Sequence, residues 1–444
     1  MRVAFVVPRY GTAIIGGAET AARLFAEHLV SGQGWTVEVL TTCAADFTTW
    51  EEVYPAGTET INGVHVERVA AEAGRDPSFH PFSAGLLADP RRATLADAER
   101  WIDLQGPKAP ALVERATSAT ADVVVFYPYL YYPTVRAIGR TRAPAVLHPA
   151  AHDEPALQLP VFDRVLTAAD GLVFQTEAER QLVQRRVPVA SHLQLLLGLG
   201  VDDPDARRAI GGAESAQAAA RATAGPEDPY LVCLGRVDRH KGVHLLVDLF
   251  AAYKARHPGP LRLVLAGPVV DPPAARSDVD IVGVVSEDDK WDLLAGALAL
   301  VSPSPWEAFS LAVAESWSAR TPVLVHAGCG ATVEHCRRSS GGISFAGFGE
   351  FEVAVERLCA DAAWRRSLGE RGRAYVDERF RWPEVIDRYA RFLERVVDAR
   401  CRVATSGDAA TQRPPTGTLD DGDAEDGDTG TDLPDSVVAD GPRR

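Results

Sequence analysis

Short apolar runs that do not alternate recur along the whole chain, most of them followed by a turn and then a helical stretch. Val3 to Val7 is the first, flanked by Arg2 and Pro8. An alternating strand hides one face, whereas a continuous apolar run hides both, as happens where helices cover a parallel sheet on each side. Further strands are read at Trp35–Thr41, at Val64–Val69 after the Asn62–Gly63 turn, and at Asp122–Tyr127, Ala145–His148, Gly171–Phe174 and Leu193–Leu197. A second series follows at Tyr230–Leu234, Leu261–Ala266, Asp280–Val284, Leu298–Val301, Pro322–Val325 and Ile343–Phe345. Two series with one strand–helix rhythm predict an α/β protein with two doubly wound halves.

Composition narrows the class. A chain of 444 residues has room for two or three domains, and 46% hydrophobic with 24% charged residues is ordinary for a globular protein. No run of 18 apolar residues occurs, and MRVAFVVPRY reads as a first strand rather than a signal peptide. The six cysteines are scattered without C-x-x-C spacing, which disfavours zinc or a disulfide framework and predicts a cytoplasmic location. The net charge is −15, but from Val403 onward ten acidic residues face three arginines. The body is therefore only mildly acidic, and no basic stripe with interleaved aromatics points to nucleic acid. The segment 403–444 has no aromatic residue and is expected to be a disordered acidic tail.

In the first half, Gly16 and Gly17 sit between the first strand and a helix read from about Thr20 to Val30, where missing Cβ atoms let a ligand approach the backbone. This is not the G-x-G-x-x-G dinucleotide pattern. Residues 76–118 hold a helical stretch, Thr94–Asp103, and carry no substrate signature. Tyr127, Tyr129, Tyr131 and Tyr132 offer either stacking faces for sugar rings or a partly buried loop. His152, Asp153 and Glu154 lie just past a strand end, with His148 nearer the strand and read as structural. Thr176 with Glu179 has capping-box spacing.

In the second half, GRVDRHKG follows the strand Tyr230–Leu234 and puts Arg236 and Lys241 on one loop, both able to reach one diphosphate. Gly283 ends a further strand. The stretch Ser302–Val325 reads as a turn, a helix from about Phe309 to Ala319, and a strand. Glu307 and Glu315 fall eight residues apart, about two helical turns, hence on nearly one face. Between them Ala308, Phe309, Ser310 and Leu311 are expected to present free amides at a helix start, which suits a phosphate. Carboxylates beside an anion site suit a ligand that carries hydroxyls too, such as a nucleotide sugar.

The E-x7-E stretch and the GR-x(n)-KG segment together resemble the retaining GT-B glycosyltransferases of family 4, also called glycosyl transferases group 1. That family has glycine where this chain has Ser310 and Arg320. The resemblance implies a GT-B fold, two Rossmann-like domains facing across a cleft: an acceptor-side domain at 1–200, a linker at 201–229, a donor-side domain at 230–380 and a helix at 381–402 crossing back. It implies that Arg236 and Lys241 hold the donor diphosphate, Glu307 the sugar hydroxyls, Glu315 the ribose, and the amides of Phe309, Ser310 and Leu311 the distal phosphate. Gly16 and Gly17 would line the facing side, Gly283 would seat the base, and His152 would contact the sugar or the acceptor hydroxyl. The implied reaction is metal-independent transfer of a sugar, hexosyl in type, with retention and in envelope polysaccharide, glycolipid or glycoconjugate synthesis. The donor would be a UDP- or GDP-sugar serving as substrate, with no cofactor, and the acceptor a saccharide, lipid-linked or small molecule. Contact with the inner membrane face stays open, as do an epimerase of the same fold and a non-catalytic nucleotide-sugar-binding protein.

Overall fold

A computed structural model describes residues 1–205 and 228–409, with side chains to 402. Most of the expected linker and all of the tail beyond 409 lie outside the described residues. The first sheet takes β1 (Arg2–Val6), β2 (Thr36–Thr42), β3 (Gly57–Ile61), β4 (Val64–Val69), β5 (Val123–Phe126), β6 (Ala145–Leu147), β7 (Gly171–Phe174) and β8 (Leu193–Leu196). Their order is β3-β4-β2-β1-β5-β6-β7-β8, and only β3 runs antiparallel. Its helices are α1 (Gly17–Gln33), α2 (Phe79–Leu87), α3 (Leu95–Gln105), α4 (Pro110–Ser118), α5 (Tyr132–Ala137), α6 (Val161–Thr167) and α7 (Glu177–Arg186). Every residue of β5, β6 and β7 is buried, as an apolar run covered on both faces requires.

The second sheet takes β9 (Tyr230–Leu234), β10 (Arg262–Ala266), β11 (Val279–Gly283), β12 (Ala299–Ser302), β13 (Val323–His326) and β14 (Gly342–Phe345). All pairings are parallel, in the order β11-β10-β9-β12-β13-β14. The helices are α8 (Val243–Arg256), α9 (Glu287–Gly296), α10 (Leu311–Ser318), α11 (Gly330–Ser339), α12 (Phe348–Ala360), α13 (Ala362–Arg379) and α14 (Trp382–Ala409). Counted within this half, the order is 3-2-1-4-5-6, so the winding reverses between β9 and β12. Ligands of open α/β sheets bind outside the carboxyl ends of the strands at such a reversal. The first sheet reverses in the same way between β1 and β5.

The last helix returns to the first half. Trp382 stacks on His28 at 3.9 Å between centroids and meets Phe25 edge-on, while Tyr389 packs on Phe25 and its hydroxyl lies 2.9 Å from His148 Nε2. His148 is fully buried, which pushes its pKa down to about 3, so the ring is neutral in this bond. Glycine is required beneath this helix: a Cβ at Gly200 would overlap the Trp382 ring, and one at Gly171 would lie 2.8 Å from Val396.

Several element boundaries differ from the sequence reading. The α1 helix starts at Gly17, so that residue is a helical position rather than part of the loop. Strand β3 and helices α2, α4, α5, α6 and α11 were not anticipated; α14 extends past Asp398 to Ala409. The tyrosines after β5 form a buried loop, with Tyr127 and Tyr129 in the core.

The bond between Tyr389 and His148 tests how α14 is held. Tyr389→Phe strands a buried ring nitrogen and should cost about 1–3 kcal/mol. Tyr389→Ala adds a cavity and should cost about 3–5 kcal/mol. Urea denaturation monitored by tryptophan fluorescence measures both; a Phe variant as stable as the parent would show that the bond contributes nothing.

Candidate functional site

Two turns meet at the reversal in the second sheet. The turn after β9 carries Arg236, Asp238 and Lys241. Asp238 is only 5% exposed; one carboxylate oxygen accepts from Arg236 Nε and the other from the Lys241 amide at 2.8 Å. It therefore orients both cations. Gly242 ends the turn at φ +73, where a Cβ would stand 2.5 Å from the Pro303 carbonyl oxygen, so the two turns can touch only with glycine here. From the turn after β12, Glu307 reaches back, and Lys241 Nζ donates to its Oε1 at 2.6 Å.

Helix α10 begins at Leu311, later than the sequence reading, because Ser310 is its N-cap at φ +76 and ψ +85. The amides without intrahelical partners thus belong to Ser310, Leu311, Ala312 and Val313. Phe309 and Ser310 precede the helix, and the Phe309 ring is buried. Glu307 lies in the turn, so the expectation of one helical face shared with Glu315 does not hold. Glu315 instead faces α9: Lys290 Nζ donates to Glu315 at 2.7 Å and to Glu287 at 2.9 Å. Burial raises the Glu315 carboxyl from its ordinary value and Lys290 opposes the rise. Burial would lower the Lys290 ammonium, but Glu315 and Glu287 hold it above its usual range. Gly283 ends β11 at φ +71 and accepts from the Gly267 amide at 2.7 Å, with open space where its Cβ would be.

Sequence reasoning missed Asp238 and Lys290. The first was legible as the acid between the two cations of GRVDRHKG. The second contacts a residue 25 positions away, which no local pattern announces.

On the first sheet, Gly16 packs on a buried ion pair between Arg9 and Glu19, whose carboxylate a Cβ would strike. Phe47 is flanked by two guanidinium groups, Arg9 at 5.3 Å and Arg236 at 4.7 Å from the ring centroid, which bridges the two halves over the cleft. A second bridge is the Thr176 hydroxyl, donating to the Ala308 carbonyl beside Glu307 at 3.0 Å. His152 has Glu154 as its charged neighbour, 3.7 Å away. Thr176 does accept from the Glu179 amide, but the Glu179 carboxylate accepts from Gln175 and Ala151 amides at 2.7 and 2.9 Å rather than closing a capping box. Burial pushes its pKa up to about 8, against those hydrogen bonds. Among the described residues, no cluster of three or more His, Cys, Asp or Glu could hold a metal, and no helix is long and apolar enough to cross a membrane.

Solved structures share this architecture. Sucrose-phosphate synthase from Thermosynechococcus elongatus superposes with a TM-score of 0.65 at 18% identity, over 90% of this chain and 99% of that one. Trehalose 6-phosphate synthase from Burkholderia multivorans gives 0.65 at 15% over 90% and 99%, and Anabaena HepE in complex with UDP and glucose 0.61 at 15% over 89% and 99%. The fold is GT-B. The family model for glycosyl transferases group 1 matches residues 216–375, the span that holds Arg236, Lys241, Lys290, Glu307 and Glu315. A curated relative, the D-inositol 3-phosphate glycosyltransferase of Streptomyces bingchenggensis, is 30% identical over 251 residues, 52% of this chain. The match spans about half of that relative, 53% of its length.

Ser310→Gly should stabilise the protein by about 0.5–1 kcal/mol, since a left-handed L-residue costs roughly 1–2 kcal/mol and glycine returns part of that as entropy. Differential scanning calorimetry reads the change, and an unchanged melting temperature would mean that the Ser310 side chain compensates for its backbone. Glu179 makes a pH prediction. Its folded pKa of about 8 exceeds the ordinary 4.5. Its contribution is therefore complete below pH about 4.5 and is lost as pH rises through about 8. Denaturation midpoints between pH 5 and 9 should fall more steeply in the parent than in Glu179→Gln; parallel profiles would place the titration elsewhere.

Proposed function

We propose that the protein is a glycosyltransferase of the retaining family 4 type, moving a sugar from a UDP- or GDP-sugar to an acceptor hydroxyl. The observation that carries this reading is the Lys241–Glu307 pair at the strand-order reversal, beside Arg236 and the first turn of α10. In the transfer, the bond from the anomeric carbon to the phosphate oxygen breaks and the nucleoside diphosphate leaves with the electron pair. The acceptor oxygen bonds to the anomeric carbon and releases its proton. Charge thus grows on the diphosphate, where Arg236 and Lys241, both oriented by Asp238, and the amides of Leu311 to Val313 stabilise it without reorganising.

Glu307 keeps Lys241 in place and offers its second oxygen to a sugar hydroxyl. Glu315, held by Lys290, serves the ribose, and Gly283 leaves room for the base. Gly16 lines the acceptor side, and His152 with Glu154 orients an acceptor or sugar hydroxyl. The acceptor is a saccharide, either free or lipid-linked. Support comes from the group 1 match over the donor residues and from the relative's name, which describes transfer to an inositol phosphate.

Lys241→Ala should lower kcat by about 10²–10³, or 2.7–4 kcal/mol, the loss expected for one oxyanion donor. Thermal shift against a panel of nucleoside diphosphates and nucleotide sugars comes first. One base series should stabilise the parent and leave Lys241→Ala unshifted, and nucleoside diphosphate should appear only when an acceptor is supplied. Absence of a shift with every nucleotide would overturn the donor assignment, and conversion of the sugar without nucleotide release would identify an epimerase.

A further inference from the structure

Behind the Glu307 turn, the buried Phe309 ring packs edge-on against His335 at 4.8 Å and Phe380 at 5.0 Å. These two rings also line a cavity of about 110 Å³. That is far more than the roughly 10–15 Å³ one water needs. Three arginines from three elements reach its wall: Arg338 of α11, Arg379 at the end of α13 and Arg388 of α14. Thr176 and Tyr375 line it as well.

The cavity's charge is poorly balanced. Its one carboxylate, Glu334, is already committed: it accepts from the Glu177 and Ala178 amides at 3.2 and 2.7 Å and from Arg338 at 2.8 Å. Among the described residues, the one carboxylate paired with Arg379 is its sequence neighbour, the exposed Glu378, and its guanidinium lies over the Tyr375 ring at 5.6 Å. Arg388 donates to the Leu196 carbonyl at 2.6 Å, and among the described residues no carboxylate pairs with it. Arg338, Arg379 and Arg388 are exposed and stand at the cavity's rim; partial desolvation, and then the positive charges of Arg379 and Arg391, hold the Arg388 guanidinium below its usual value. Converging guanidinium forks with spare donors match a tetrahedral oxyanion.

We infer that this cavity, walled by Arg338, Arg379 and Arg388, is a second ligand site that binds a phosphate group, either inorganic phosphate or the phosphate of a monoester. It is separate from the proposed donor site and does not depend on that reading. Thr176 and Leu196 come from the first half and Arg338 and Tyr375 from the second, so a bound phosphate would tie the two halves together.

The test is thermal unfolding of the full chain against inorganic phosphate and, separately, glucose 6-phosphate, with ionic strength held constant by sodium chloride. The melting temperature should rise saturably in the parent and equally in Lys241→Ala. In Arg379→Gln and Arg388→Gln the midpoint of the rise should move to about tenfold higher ligand or beyond, since a hydrogen bond to a charged group is worth roughly that factor. A lower midpoint for the ester would assign a phosphorylated metabolite, and a lower one for orthophosphate would assign the free ion. Should Arg388→Gln fail to fold through loss of its Leu196 bond, Arg379→Gln, whose partner is exposed, carries the measurement. No saturable rise in the parent would overturn the inference. So would a rise lost in Lys241→Ala but kept in the arginine variants, because the phosphate would then be entering the other site.

Discussion

The buried carboxylate of Asp238 is the constraint on which the donor-side geometry depends. Two cations five residues apart on one loop would normally splay into water, where each is best solvated. Asp238 holds the Arg236 side chain and the Lys241 backbone, which fixes the turn that carries both. Glu307 then closes on Lys241 from the other turn at the reversal. In the proposed reaction, a ligand phosphate would meet cations already held by folding rather than ordered at the moment of binding.

A cleft between two halves works only if their relative position is held. Here the tethers are few and of different kinds. Helix α14 is anchored by packing: Trp382 and Tyr389 bury against Phe25 and His148, and two glycines admit the helix. The other tethers are polar and closer to the chemistry, including Thr176 on the Ala308 carbonyl, Glu334 on the first amides of α7, and Phe47 on Arg236. Each polar tether is worth on the order of 1 kcal/mol, well below the packing of α14. Relative motion of the halves would therefore break the polar set first and keep the helix as the pivot.

Much of the fold was legible because its strands are buried on both faces, so that VVVF at β5 or ALVS at β12 can be little else. The exposed edge strand β3, GTETI, has no such signature and was missed. Helices α2 and α4 were hidden in a stretch broken by prolines. In the candidate site, the residues carried by recognisable segments were found at the expected turns: Arg236, Lys241 and Glu307. What failed was geometry that depends on a backbone angle or a distant partner. Ser310 in the left-handed region delays α10 to Leu311, which moves the free amides along the chain. Lys290 approaches Glu315 only because α9 packs on α10.

Two positions with a positive φ and no glycine make the same point. Ser310 and Arg320 both have positive φ, +76° and +59°. At both, a residue with a side chain holds a conformation that glycine adopts most cheaply. At Arg320 something offsets the strain: the guanidinium pairs with Asp205 at 2.9 Å, and Gly369 lies against the Arg320 carbonyl so closely that no Cβ would fit. At Ser310 no hydrogen bond from the side chain caps the helix. The strain there sits directly in the turn that presents Glu307 and the α10 amides, where a fixed backbone matters more to the proposed chemistry than a relaxed one.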